Sequence, residues 1–125
     1  YLVVLLLMYS CDGTKTDYRA DSTWVYVNNS SHTIDVLSRT DKLDFKLSTG
    51  ASYAIDITFG SDKNVSENSF YSPYDPEFTK IIFDGTKEVN VTGGITEREN
   101  YTAERIAPRH YKFTYIFTND DYPGE

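Results

Sequence analysis

The chain has 125 residues, 39% of them hydrophobic and 25% charged, and a formal net charge of −7 at pH 7. A chain of this length fits one domain. Its acidic balance argues against nucleic acid as a partner, because phosphate binding needs clustered lysines and arginines. One cysteine alone excludes an intramolecular disulfide and a cysteine-based metal site.

The first ten residues form an almost unbroken apolar run that ends just before Cys11. The run looks like the end of a bacterial lipoprotein signal peptide, with Met8, Ser10 and Cys11 at its characteristic positions. We therefore predict a signal-peptide remnant at 1–10, lipidation of Cys11 and a flexible tether at 11–22. Two alternatives stay open: a membrane anchor, which needs about 20 apolar residues, and a buried first strand.

After the tether, the order of residues predicts about seven β-strands. Eleven tyrosines and seven phenylalanines, together with many valines, isoleucines and threonines, favour strands. Apolar residues recur with a period of two, so each strand buries one face. The predicted strands lie at 23–27, 32–37, 43–47, 53–59, 80–83, 87–91 and 110–118. Asp84-Gly85 gives the clearest hairpin pattern, because both residues readily take positive φ.

Helical patterns are weak in this chain. Residues 96–105 could form two turns, but Pro108 and the lack of an apolar stripe favour a loop or a short helix. The predicted fold is therefore all-β: an antiparallel two-sheet β-sandwich, immunoglobulin-like or related, over residues 23–122.

Both ends of this domain, Trp24 to Ile34 and Phe117 to Tyr122, resemble small uncharacterised lipoproteins of the Bacteroidota. The resemblance covers most of the domain and includes no catalytic motif. It implies a lipid-anchored protein of the cell envelope, in the outer membrane of a Gram-negative bacterium. That lineage includes glycan-capture proteins and fimbrial subunits. Asp21-Ser22-Thr23 also resembles its O-glycosylation acceptor, which makes Ser22 a candidate for modification; an ordinary tether or strand start is the alternative.

Residues with catalytic or metal-binding chemistry are scarce. His32 and His110 have no partner at triad or metal spacing, so we expect surface roles for both, no enzymatic activity and no cofactor. The acidic residues at the carboxyl end could hold calcium, but they lack the glycine and the spacing of a calcium loop. A solvated tail is therefore expected for Asn119, Asp120, Asp121 and Glu125.

The segment 70–78, with four aromatic residues and two prolines, is the strongest candidate for a binding loop. Exposed rings near carboxylates can stack on sugar rings, and the candidate residues here are Tyr71, Tyr74, Asp75 and Phe78. The alternative is a lid whose buried rings contact Tyr53 or Phe113. Two functions follow: a binding module for a glycan, peptide or protein, or a structural envelope or fimbria-accessory subunit that associates through strand edges.

Lipidation is directly testable in a Bacteroidota host that expresses the chain with its complete native signal. We expect the intact mass of the mature protein to equal residues 11–125 plus acyl chains, because the thiol of Cys11 carries the lipid. A Cys11→Ala variant should lose that added mass. An unmodified protein that retains residues 1–10 would contradict the prediction.

Overall fold

The computed structural model describes residues 18–61, 64–89, 91 and 93–123. Within these ranges the chain forms eight β-strands and several short 3₁₀ turns. The strands are β1 (Tyr18–Asn28), β2 (Ile34–Leu37), β3 (Phe45–Leu47), β4 (Ser52–Ser61), β5 (Lys80–Phe83), β6 (Lys87–Val89), β7 (Thr102–Ala107) and β8 (His110–Phe117). The described ranges include no helix long and apolar enough to cross a bilayer.

The strands build two four-stranded sheets, which confirms the predicted all-β sandwich. The first sheet has the order β4-β1-β8-β7 and the second has the order β3-β2-β5-β6. Every pair is antiparallel except β1 and β8, which run parallel from Asp21 opposite His110 to Asn28 opposite Phe117. The two strands at the centre of the first sheet therefore come from opposite ends of the described chain.

β7 is the strand that the sequence does not predict. The expected loop or short helix at 96–105 fits the two 3₁₀ turns, Gly94–Thr96 and Arg98–Asn100, but it is wrong from Thr102 onward, where β7 begins. Ala103 packs against the core, while the other side chains of β7 are exposed. An edge strand with so little apolar surface has no alternating pattern from which to predict it.

β1 begins at Tyr18, so residues 18–22 belong to the strand and not to the predicted tether. Ala20 and Ser22 face the core, and their small side chains give the strand no apolar pattern there. The predicted signal remnant, the lipidation site and the rest of the tether lie outside the described residues.

The predicted hairpin at Asp84-Gly85 is confirmed. Both residues have positive φ, 55° and 75°, and they join β5 to β6. The Thr86 backbone N–H donates to the Phe83 carbonyl at 3.1 Å and closes the turn.

Aromatic rings fill the space between the two sheets. Trp24 of β1 stacks on Phe113 of β8 with ring centroids 4.3 Å apart. Tyr26 of β1 reaches the second sheet, where its ring lies 5.2 Å from that of Phe45 in β3. Each such buried ring contributes roughly 1.5–3 kcal/mol before chain entropy is counted. The ring of Phe45 therefore meets the first sheet at two places, Tyr26 of β1 and Tyr53 of β4.

Asn28, at the end of β1, is fully buried, and its side chain makes four hydrogen bonds. Its amide nitrogen donates to the carbonyls of His32 and Leu47, at 2.7 and 3.0 Å. Its side-chain oxygen accepts from the backbone N–H and the hydroxyl of Ser30, at 3.0 and 2.7 Å. These bonds use both donors and both lone pairs of the amide. Asn28 thereby joins β1 to β3 and to the turn before β2.

Removing this amide should be costly. We expect Asn28→Ala to lower the free energy of unfolding by about 3 kcal/mol, because it removes the hydrogen bonds of a fully buried amide and leaves the Ser30 N–H without its acceptor. The neighbouring exposed residue supplies the matched control, and Asn29→Ala should cost less than about 0.5 kcal/mol. Urea titration followed by the fluorescence of Trp24 measures both, and equal losses would contradict the role given to Asn28.

Candidate functional site

The loop between β4 and β5 places two of its aromatic rings in the core. Phe70 is 3% exposed and lies 5.3 Å from the ring of Phe113. Tyr74 is 1% exposed, its ring lies 5.4 Å from that of Tyr26, and its hydroxyl donates to the Leu43 carbonyl at 2.6 Å. Burial raises the pKa of the Tyr74 hydroxyl above its ordinary value. Phe70 and Tyr74 therefore form a lid, which was the alternative to a binding role.

The other three candidate residues of this loop are on the surface. Tyr71 is 85% exposed. Phe78 is 40% exposed, and the guanidinium of Arg39 lies 3.7 Å from its ring centroid. The carboxylate of Asp75 accepts the backbone N–H of Glu77 at 2.9 Å, which closes a local turn. Of these three, only Tyr71 borders the pocket described next.

An open pocket of about 410 Å³ lies beside Tyr71. One wall is the loop before β5, and the other is the pair of 3₁₀ turns before β7. Its lining is mixed, with one exposed ring, two carboxylates, one guanidinium and several hydroxyl and amide groups. The lining residues are Asn68, Phe70, Tyr71, Ser72, Pro76, Thr96, Glu97, Arg98 and Glu99.

Local hydrogen bonds fix the second wall. Gly93 and Gly94 have φ of 84° and 55°, a region that favours glycine, and they start the first 3₁₀ turn. The Thr96 hydroxyl donates to the Gly93 carbonyl at 2.7 Å. Arg98 donates to the side-chain oxygen of Asn68 at 3.0 Å and thus joins the two walls.

A buried hydroxyl network supports the pocket from below. The carbonyl of Ile95 accepts the hydroxyl of Tyr101 at 2.6 Å, and it also accepts the hydroxyl of Ser72. The hydroxyls of Tyr101 and Tyr26 are 2.8 Å apart. Burial raises the pKa of both tyrosines, so these hydroxyls stay neutral at physiological pH. The pocket walls are therefore tied to the core by groups that do not change charge.

The pocket wall carries a small excess of negative charge. Glu97 and Glu99 flank Arg98, so two negative charges stand against one positive charge. Neither carboxylate has a hydrogen bond or ion pair with another described residue, and both are exposed. Both carboxylates can therefore accept hydrogen bonds from a ligand.

Sequence reasoning missed Asn68, Glu97, Arg98 and Glu99. The hydrogen bond between Arg98 and Asn68 joins residues that are 30 positions apart. Neither segment has a periodic or motif pattern, and only the return of the chain into β7 brings them together. No signal in the sequence identifies these residues as neighbours.

Ser22, the candidate for O-glycosylation, faces the core. It is 2% exposed, and its hydroxyl accepts the indole N–H of Trp24 at 2.8 Å and donates to the carbonyl of Ile57 at 3.2 Å. An enzyme cannot reach this hydroxyl in the folded domain. Ser22 is therefore inaccessible to modification in the folded domain.

His110 lies on the outer face of the first sheet, next to Thr23 and Asp56. The Thr23 hydroxyl donates to Asp56 at 2.7 Å, and the Nε2 atom of His110 lies 2.9 Å from the same hydroxyl. Because the hydroxyl proton is on the Asp56 side, Nε2 must be the donor toward Thr23. In this arrangement His110 cannot accept the Thr23 proton, so the three residues do not form a nucleophile–base pair.

His32 holds the end of the chain against the domain. Its ring stacks on that of Tyr122 with centroids 3.8 Å apart, and its Nδ1 atom lies 2.7 Å from the carboxylate of Asp84. Asn119 accepts the backbone N–H of Ser31 at 2.8 Å. The expectation of a solvated tail is therefore wrong for Asn119, whereas Asp120 is exposed as expected, and Glu125 lies outside the described residues.

Asp121 does not fit a solvated tail either, because its side chain is engaged. Asp121 accepts the backbone N–H of Thr118 at 2.9 Å and lies 3.2 Å from the hydroxyl of Tyr115. In the part of the chain that the structure describes, no three His, Cys, Asp or Glu side chains form a group that could hold a metal ion.

Comparison of the chain with protein-family models, with curated proteins and with solved structures found no match. The pocket geometry is then the observation from which a function can be proposed. That geometry combines one exposed aromatic ring with hydrogen-bonding groups of both kinds.

The contact between His32 and Asp84 should make stability depend on pH. The hydrogen bond from His32 holds the pKa of the Asp84 carboxyl below its usual value of 3.8. The ionised carboxylate therefore stabilises the folded state above that pH, and this contribution is lost as pH falls through the lower, folded-state pKa.

We expect Asp84→Asn to lower the melting temperature at pH 6 and to reduce the further loss of melting temperature on acidification. Asparagine also tolerates the positive φ at this position, so the turn is kept. Differential scanning calorimetry from pH 6 to pH 2.5 measures the effect. Glu88→Gln, an exposed change in the neighbouring strand β6, should follow the unmodified protein. Parallel curves for Asp84→Asn and the unmodified protein would contradict the prediction.

Proposed function

We propose that the protein is a non-catalytic binding module of the cell envelope and that the pocket beside Tyr71 holds a glycan. The observation that carries this proposal is the ring of Tyr71, 85% exposed at the edge of a pocket of about 410 Å³. Pockets of roughly 300–1,000 Å³ are typical of small-ligand sites. A sugar ring presents a C–H face that can stack on an aromatic ring and a rim of hydroxyl groups.

The pocket walls complement the hydroxyl rim. Glu97 and Glu99 can accept hydrogen bonds from sugar hydroxyls, while Arg98 and the amide of Asn68 can donate. The hydrogen bond from Arg98 to Asn68 and the hydroxyl network beneath hold these groups in place before a ligand arrives. Such preorganisation reduces the entropy lost on binding.

A binding role suits these carboxylates better than a hydrolytic one. Hydrolysis of a glycosidic bond needs one carboxyl that surrounding apolar groups keep protonated. Glu97 and Glu99 are both exposed to solvent, and they lie two positions apart on one wall of the pocket, not on opposite sides of it.

The proposed anchor is a lipid on Cys11, which would tether the domain to the outer membrane of a Gram-negative bacterium. All of the charged residues follow Cys11, so the anchored chain would carry the net charge of −7. Anionic headgroups repel such a domain. The repulsion would keep the pocket in solution, where glycans are accessible.

A second candidate function is structural: an envelope or fimbria-accessory subunit that associates through strand edges. The long open edge of β4 favours it, because no described strand pairs with that side of β4.

Glycan binding is testable with an array of neutral oligosaccharides, followed by calorimetric titration of those that bind. We expect Tyr71→Ala to weaken binding about tenfold, because the stacking ring is lost. Phe78→Ala is the matched control, since that ring is exposed and lies outside the pocket lining. Glu97→Gln should weaken binding severalfold, whereas Glu77→Gln should leave it unchanged. Binding that Tyr71→Ala leaves intact, or an array without any bound glycan, would refute the proposal.

A further inference from the structure

Four strands lie at the sheet edges, and three of them carry features that hinder pairing with another chain. β3 and β6 have only three residues each. β7 carries Glu104 and Arg105, has an irregular register between Arg105 and Ala107, and is followed by Pro108. Short length, charge, irregularity and proline are the usual means by which proteins protect an open edge.

β4 has none of these protections. It is ten residues long, it contains no proline, and its one charged residue is Asp56. It pairs in regular register with β1 along one side, and no described strand pairs with its other side. The residues on its outward face are all exposed. They are Ser52, Ala54, Asp56, Thr58 and Gly60.

The hydrogen-bond pattern shows which backbone groups point to the open side. Asn28 donates its backbone N–H to the carbonyl of Ala51, whereas Asp21 and Asn29 donate theirs toward the β8 side, to Arg109 and Phe117. Even-numbered residues of β1 therefore bond to β4. In the antiparallel register their partners are the odd-numbered residues of β4. The backbone N–H and C=O groups of the even-numbered residues 52–60 consequently face the open side.

We propose that β4 pairs with β4 of a second copy of this chain, antiparallel, about a two-fold axis at Ile57. The β4-β1-β8-β7 sheets of the two copies then form one continuous eight-stranded sheet. The inference is independent of glycan binding, because β4 contributes no residue to the pocket lining.

The side chains select this register. Centring the axis on Ile57 puts Asp56 opposite Thr58 of the partner subunit. Asp and Thr are already cross-strand neighbours twice in the first sheet, as Thr23 with Asp56 and Asp21 with Thr58. Centring the axis on Asp56 would place two carboxylates face to face, which is unfavourable.

The core-facing side chains of the two paired strands are also complementary to each other. The Ile57 side chains of the two copies meet at the axis, and Ile55 lies opposite Phe59 of the partner subunit. Ile57 and Phe59 are only half-buried in the single copy, so pairing removes more of their apolar surface from water. Pairs of β-branched and aromatic side chains are favourable across antiparallel strands.

Electrostatics sets the conditions for association. Each copy carries a net charge of −7, so the two copies repel at low ionic strength. The contact is a single strand per chain, which is small for a stable interface. We therefore expect a weak dimer that strengthens as salt screens the repulsion.

A register-specific disulfide tests the proposal in a Cys11→Ala background. At the axis the Ile57 Cα atoms of the two copies should be about 4.5 Å apart, which fits a disulfide. We expect Ile57→Cys to give a cross-linked dimer on mild oxidation. Phe59→Cys is the matched control, since Phe59 is half-buried like Ile57, and it should stay mostly monomeric because its opposite residue is Ile55. Equal cross-linking of the two variants, or none in either, would overturn the proposal.

Sedimentation equilibrium of the full chain, under reducing conditions and in mild detergent, provides a second test. We expect association that increases with salt and is lost in Ala54→Pro, which removes an outward N–H and leaves the bonds to β1 intact. Ala54→Ser keeps that N–H and should associate like the unmodified protein. A monomer at all concentrations, or a dimer that Ala54→Pro leaves unchanged, would overturn the proposal.

Discussion

Tyr26 is the point at which the two sheets and the candidate pocket meet. Its ring contacts Phe45 of the second sheet, the lid residue Tyr74 and the ring of Tyr101. Its hydroxyl joins the network that ends at the Ile95 carbonyl, directly beneath the pocket wall. One side chain on the central strand β1 therefore links core packing to pocket geometry. Tyr26 therefore contacts both the second sheet and the hydroxyl network that supports the pocket wall.

Aromatic side chains from loops form part of the core of this small domain. Phe70 and Tyr74 enter the core from the loop before β5, and Tyr101 enters from the segment before β7. A small domain buries a limited fraction of its surface, so large rings from its loops add core volume. The same placement leaves Tyr71 outside, because its neighbours on both sides, Phe70 and Ser72, are held by the interior. Its exposure is thus a consequence of how the loop is anchored.

The sequence is sufficient to predict the fold class, and the reasons are local. Alternation in segments such as 43–47 and 53–59 depends only on neighbours in the chain, as does the turn at Asp84-Gly85. The parallel pairing of β1 with β8 could not be predicted, because it joins residues such as Trp24 and Phe113 across most of the chain. β7 was missed since an exposed edge strand needs no apolar alternation.

The candidate site was predicted only in part, for the same reason. The aromatic loop was identified from its composition, and Tyr71 within it lines the pocket. Its opposite wall is formed by Glu97, Arg98 and Glu99, whose approach to Asn68 depends on tertiary structure. Burial also separated Tyr74 from Tyr71, although the two rings are close in sequence and chemically identical. Composition can locate a binding loop, but it cannot tell which of its rings faces solvent.

The parallel pairing of the first and last strands has a consequence for how the domain folds. β1 cannot acquire its partner β8 until residues 110–117 have been synthesised, so the centre of the first sheet is completed last. Contacts of such long sequence separation slow folding, typically to milliseconds or seconds. A product that ends before residue 110 would leave β1 without its parallel partner and Trp24 without the ring of Phe113 on which it stacks. Such a product would therefore lack the centre of the first sheet.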